Sequence, residues 1–80
     1  MIDSIIERYP DESFLKADGF DEALIGVDLN SMRLVYSYSK CIQILCRGMN
    51  ELEATEYFDF NVLCAYVGEK TPIWVDDIKR

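Results

Sequence analysis

The spacing of apolar side chains changes period several times along this chain, and each change marks an element. Ile5, Ile6 and Tyr9 fall at helical spacing behind Asp3 or Ser4 as a cap, and Pro10 disfavours a helical residue before it, so a helix is predicted over 4–9. Residues 11–16 run from Asp11 and Glu12 to Lys16, acids first and a cation last, the order that suits a helix dipole; Asp18-Gly19 closes this second short helix. From Ala23 to Leu29 the period becomes two. Ala23, Ile25, Val27 and Leu29 share one face, and Leu24, Gly26 and Asp28 share the other. Asn30-Ser31 turns this strand into a second one, 33–37, rich in β-favouring residues, to give an antiparallel hairpin. Gly26 marks a bulge or a place where another group approaches the backbone.

Helical spacing returns at 39–47, where Tyr38, Cys41, Ile42, Leu45 and Met49 lie opposite Lys40, Gln43 and Arg47, and Gly48 ends the run. Asn50 with Glu53 three positions on forms a capping box, and the helix it opens is predicted to continue to Tyr66 or Val67. Its stripe of Ala54, Tyr57, Phe58, Asn61, Cys64 and Ala65 places Asn61 among apolar neighbours, where a buried amide needs a partner: a loop or strand backbone, or a ligand. Phe60, Leu63 and Val67 come round to the other side, so the C-terminal half is apolar all round, as for a helix central to the core or facing another subunit. Residues 68–72 break the helix. Ile73-Trp74-Val75 reads as a third, edge strand protected by Asp76-Asp77.

A hairpin of this length needs helices over one face. The fold class expected is therefore α+β, an antiparallel hairpin or three-stranded antiparallel sheet packed against two or three helices, with residues 1–80 as a single compact domain. At this size the surface-scaling rule allows roughly 5,000 Å² of exposed surface and burial of about 60% of the extended chain's surface.

Composition then limits the chemistry. The chain has 15 acidic and 8 basic residues, no histidine and a net charge of -7, while half its residues are hydrophobic and 12% aromatic, which argues for an acidic folded domain and against an acidic disordered tail. Three cysteines leave one without a partner in any pairing, and Cys41, Cys46 and Cys64 all sit in apolar helical stretches, so buried thiols in a reducing cytoplasm are expected. No run approaches the ~18 apolar residues of a membrane span, and the N-terminus is too acidic for a secretory signal. The expected localisation is cytoplasmic, without membrane association.

Without histidine, Ser-His-Asp, Cys-His and His-based zinc arrangements are excluded, leaving carboxylates, lysine, tyrosine and thiol for acid-base work. An enzyme of that kind requires a cleft joining two of Asp18, Asp21, Asp28 and Asp59. Asp18, Asp21 and Glu22 do not follow a calcium-loop pattern, Gly68-Glu69-Lys70-Thr71 lacks the upstream glycines of a phosphate loop, and the cysteine spacings are not those of a metal site. No catalytic residue, metal or cofactor is assigned. The charge disfavours direct nucleic-acid binding, for which Arg33, Lys40 and Arg47 make at best a small patch. Two surfaces stand out. Glu53, Glu56 and Asp59 on one helix flank, with Glu51 and Asp76-Asp77 near, form a negative partner surface suited to a basic groove, or else an ordinary solvated face. Tyr36, Tyr57, Asn61, Lys70 and Thr71 are candidates to line a small-ligand pocket, between subunits if the chain is a homo-oligomer.

The segments Asp18–Val27, Arg33–Ser37 and Phe58–Val62 through Ala65–Ile73 resemble a family of small accessory proteins encoded by tailed bacteriophages and prophages. The likeness spans residues 18–75 and brings no catalytic residues with it. It implies a small acidic protein acting in the infected bacterial cytoplasm, where such proteins bind and inhibit or modulate a host protein in takeover or anti-defence roles. The expectation is accordingly a non-enzymatic binding protein directed at a host protein, with a nucleotide- or ligand-sequestering protein and an acidic nucleic-acid mimic as the alternatives.

Overall fold

The structure, a computed structural model, describes residues 1–77. Three strands form one mixed sheet in the order β1 (Leu24–Asp28), β2 (Arg33–Ser37), β3 (Ile73–Val75), and the helices α1 (Ile2–Arg8), α2 (Tyr38–Leu45) and α3 (Glu51–Phe58) surround it. The α+β class read from the sequence is the class observed. The hairpin is antiparallel, whereas β3 runs parallel to β2, with Val35, Tyr36 and Ser37 opposite Ile73, Trp74 and Val75. A parallel partner requires a long crossover. Residues 38–72, carrying α2 and α3, supply it.

The bulge explains which side chains of β1 face inward. Leu24 pairs with Tyr36 and Gly26 with Val35, so Ile25 is the extra residue and the alternation changes phase there. Leu24 and Val27 consequently pack on the core with Leu34 and Tyr36, while Ile25 and Leu29 are exposed. The uninterrupted face of Ala23, Ile25, Val27 and Leu29 is thus not formed; Ala23 is buried from a 3-10 turn, Asp21–Ala23. No atom lies close to where a Gly26 side chain would begin, so the bulge is the feature that this glycine marks. The strands are joined through residues 29–32, where Met32 adopts φ 54° and the Asp28 carboxylate accepts bonds from the Ser31 amide and hydroxyl.

The N-terminal helix forms and stops before Pro10, but residues 11–16 do not form a second one. That segment has few apolar side chains to pack along a helix, and propensity alone does not hold so short a helix in water. Its Phe14, and Ala17 just after it, instead pack on the core from irregular chain.

An aromatic cluster forms the centre. Phe58 meets Trp74, Tyr38 and Phe20 edge to face at centroid distances of 5.2, 5.2 and 6.3 Å, and Tyr36 lies 5.2 Å from Trp74. Trp74 reaches this cluster only because β3 is in place.

A charged contact holds that strand's end. Ser37, wholly buried, ends β2 and caps α2, its hydroxyl accepting from the Lys40 amide at 3.2 Å. The Asp77 carboxylate accepts from the Ser37 hydroxyl at 2.6 Å and from the Ser39 hydroxyl and amide at 3.0 and 3.2 Å. These bonds, the one from Ser37 foremost, hold the Asp77 carboxyl down from the ordinary 3.8 to about 2. A folded-state value below the unfolded one stabilises the fold above 3.8, and the stabilisation is lost as pH falls toward about 2. Thermal unfolding followed down through that window is expected to show a loss of stability in the wild type that is smaller in Asp77→Asn, which already lacks the contribution at neutral pH. Parallel curves for the two proteins would remove Asp77 from this role.

Candidate functional site

The capping box forms as its spacing predicts. The Asn50 side chain accepts from the Glu53 amide at 2.8 Å, and the Glu53 carboxylate accepts from the Asn50 amide at 3.2 Å, fixing the start of α3. Ala54 and Phe58 then face the core. Beyond Phe58 the helix widens into a π-helical turn, Asp59–Leu63, and ends at Cys64, short of the predicted Tyr66 or Val67. The chain must turn back here to reach β3. Gly68, at φ 115°, makes the turn, and the Thr71 hydroxyl braces it by donating to the Gly68 carbonyl and accepting from the Val67 amide.

The wider turn changes the outward face. In a regular helix Asn61 would sit near Phe58 on the core side. Here Val62 takes the inner position, and Asn61 is exposed, its amide donating to the Tyr57 carbonyl at 3.1 Å. The expectation of a buried Asn61 therefore fails, and so does that of a helix central to the core at its C-terminal half. Phe60, Tyr66, Val67, Leu63 and Tyr57 are 80, 76, 60, 48 and 45% exposed.

On this element Glu53 and Glu56 border an open depression of about 360 Å³ with Met49, Tyr57, Phe60 and Asn61. Asp59 is half-buried and does not line it. The predicted negative surface is thereby divided: Glu53 and Glu56 share one hollow, and Glu51 lines another of about 490 Å³ between α2 and α3. Asp77 is engaged with Ser37 and Ser39.

The five candidate pocket residues are dispersed. Tyr36 is wholly buried, and its hydroxyl accepts from the Ala17 amide at 2.9 Å; burial pushes its phenol above its ordinary value. Lys70 donates to the Glu12 carboxylate and the Met32 carbonyl, at 3.1 and 3.0 Å, with the Phe14 ring below it. Asn61 and Thr71 do share a hollow, about 210 Å³, beside Phe20 and Trp74, and Tyr57 shares the α3 depression with Asn61.

The acidic loop has its own cations. Glu22 takes a two-pronged bond from Arg47 at 3.1 and 2.6 Å, which holds its carboxyl below the usual range, and Asp21 pairs with Lys16 at 3.3 Å. Arg33 donates to the Thr71 carbonyl, so the small basic patch is largely committed to internal bonds. No two of Asp18, Asp21, Asp28 and Asp59 line any hollow named here. Among the described residues no three histidine, cysteine, aspartate or glutamate side chains group as metal ligands, and no helix is long and apolar enough to cross a membrane.

Neither a protein-family model, nor a curated protein, nor a solved structure matches this chain.

Sequence reasoning missed the π turn, for which residues 59–63 carry no local signature, and Met49 as a wall of the depression. It also buried too many thiols. Cys41 is buried, with its thiol pushed up to about 12 chiefly by desolvation, but Cys46 and Cys64 are exposed because α2 ends before Cys46 and the π turn carries Cys64 outward. A maleimide reagent is expected to label two thiols in the folded protein and the third only after denaturation; three fast labels would place Cys41 at the surface. Tyr36→Phe removes the acceptor for the Ala17 amide and is expected to cost about 1 kcal/mol in urea unfolding. An unchanged midpoint would show that this bond contributes nothing.

Proposed function

We propose that this chain is a non-enzymatic binding protein that captures another protein on the surface of residues 49–67. One observation carries the reading: Tyr57, Phe60, Leu63, Tyr66 and Val67 are exposed along one short segment, beside carboxylates, in a chain whose remaining aromatic side chains are largely packed inside. Clustered exposed apolar side chains with a polar rim are a hallmark of protein interaction sites, and exposed aromatic rings are the commonest anchors. The π turn, which carries Phe60 and Leu63, adds to this, since such turns recur at functional positions.

The target proposed is a host bacterial protein, inhibited or modulated by being bound, which is what the resemblance read from residues 18–75 implies. Sequestration of a small ligand is less favoured. The hollow that joins Asn61 and Thr71, about 210 Å³, is below the roughly 300–1,000 Å³ usual for ligand sites.

The test is capture from bacterial lysate by immobilised wild type, Phe60→Ser, Glu56→Lys and, as a charge-reversal control outside residues 49–67, Asp11→Lys. A host protein retained by wild type and Asp11→Lys but lost from the first two variants, with unchanged circular dichroism, is the expected result. Equal retention by all four proteins would overturn the assignment of this surface.

A further inference from the structure

We infer that the occupant of the α3 depression is a cationic, amphipathic segment of a different protein, which sets an apolar side chain against Tyr57 and Phe60 and lysine or arginine beside Glu53 and Glu56. The inference rests on the binding role proposed above and specifies its partner.

Charge is the first argument. Between Arg47 and Lys70 the chain carries five carboxylates, Glu51, Glu53, Glu56, Asp59 and Glu69, and no cation. The ion pairs of the described residues are Lys16–Asp21, Arg47–Glu22 and Lys70–Glu12, and none uses an acid of this stretch. Among the described residues, Asp21 and Glu22 of the acidic loop are each paired with a cation, and no carboxylate of α3 is. An unneutralised acidic rim around an apolar floor complements a segment of opposite charge and the same amphipathic character.

Shape is the second. The depression is open and holds about 360 Å³, with Phe60 standing 80% exposed at its side. It offers no enclosure for a free small molecule, which a binding site usually buries by most of its surface, but it accepts one or two side chains presented on a backbone. A second copy of this chain is the wrong occupant. Two-fold pairing sets the same patch against itself, and here that opposes Glu53 and Glu56 to their own duplicates. Nucleic acid is repelled for the same reason.

The probe is a 14-residue peptide of leucine and lysine with one apolar helical face, titrated into the isotope-labelled full chain and followed by amide chemical shifts. Two peptides of equal length are the controls, one of leucine and glutamate and one of lysine and glycine. The expected result is saturable shifts centred on residues 49–61 with the leucine-lysine peptide alone. Affinity should fall about tenfold or more in Phe60→Ser and also fall in the double variant Glu53→Gln/Glu56→Gln, in which glutamine keeps the capping acceptor. Equal binding of the lysine-glycine peptide overturns the inference and marks a charge-only surface such as a nucleic-acid mimic presents. Shifts centred on the Asp21 loop overturn it as well, and so does a dimer in sedimentation that Phe60→Ser dissolves. If a captured host protein depends on Phe60 but not on Glu53, Glu56 or salt, the binding role stands and the cationic partner is refuted; if capture is independent of Phe60 too, both fall.

Discussion

The Asp77 carboxylate, seated against Ser37 and Ser39, closes the fold. Ser37 is at once the last residue of β2, the cap of α2 and a hydroxyl without solvent contact, and Asp77 lies 40 residues further along the chain. Joining the two fixes the ends of the crossover that makes β3 parallel to β2. The bond also places a negative charge at the first turn of α2, where amide groups point outward and the helix dipole favours an anion. Three donors converge on one carboxylate, so a single ionised side chain satisfies a helix start and the end of the central strand together. The geometry explains why an acidic pair follows a strand of only three residues: Asp76 is exposed at the edge, and Asp77 turns back to the body.

Closure of that crossover determines what the core is made of. The described buried side chains are few, and the aromatic rings among them bear on Trp74, which only the third strand can deliver. Phe58 is the counterpart on the helical side. The accessible surface, 5593 Å², exceeds the roughly 5,000 Å² expected for a chain of this mass. Part of the surplus is apolar area on the segment between Phe58 and Gly68, where helix has given way to a π turn and then to irregular chain. The exposed surface and the parallel strand therefore have a common origin in the path the chain takes after Phe58.

The same path marks the limit of what the sequence made legible. Alternation and capping are local signals: the hairpin, α2 and the Asn50–Glu53 box follow from residues a few positions apart, and Gly26 pointed to the bulge. The direction of β3 does not follow from Ile73-Trp74-Val75, since three β-prone residues pair equally well in either sense; the 35 residues of crossover decide it. The phase change at Ile25 lay beyond reach for a related reason. A bulge alters the facing of every later residue, and Gly26 marks the neighbourhood of the bulge without stating which residue beside it is the extra one. Asn61 was placed by extrapolating a 3.6-residue period through a turn that abandons it. At the candidate surface Glu53 and Glu56 were identifiable as neighbours from helix spacing, whereas Met49, assigned by periodicity to the stripe of the preceding helix, joins them from the position just before the Asn50 cap, and Lys70, Thr71 and Tyr36 proved to be bound into the scaffold by bonds that span 58, 3 and 19 positions.

The distribution of charge also acts on the exposed apolar segment of the proposed binding surface. An apolar strip on a small protein favours self-association, and carboxylates without cations beside it oppose that outcome by like-charge repulsion whenever two such strips meet. The Asp21 loop carries no comparable strip, and its Asp21 and Glu22 are paired with Lys16 and Arg47. Specificity is a difference between affinities. The charges that weaken attraction between copies strengthen attraction to a cationic surface, so one set of side chains acts on both sides of that difference. A surface of alanine and serine in place of Glu53 and Glu56 would leave Tyr57 and Phe60 equally exposed and would remove this discrimination, because apolar contact alone does not distinguish one amphipathic partner from another.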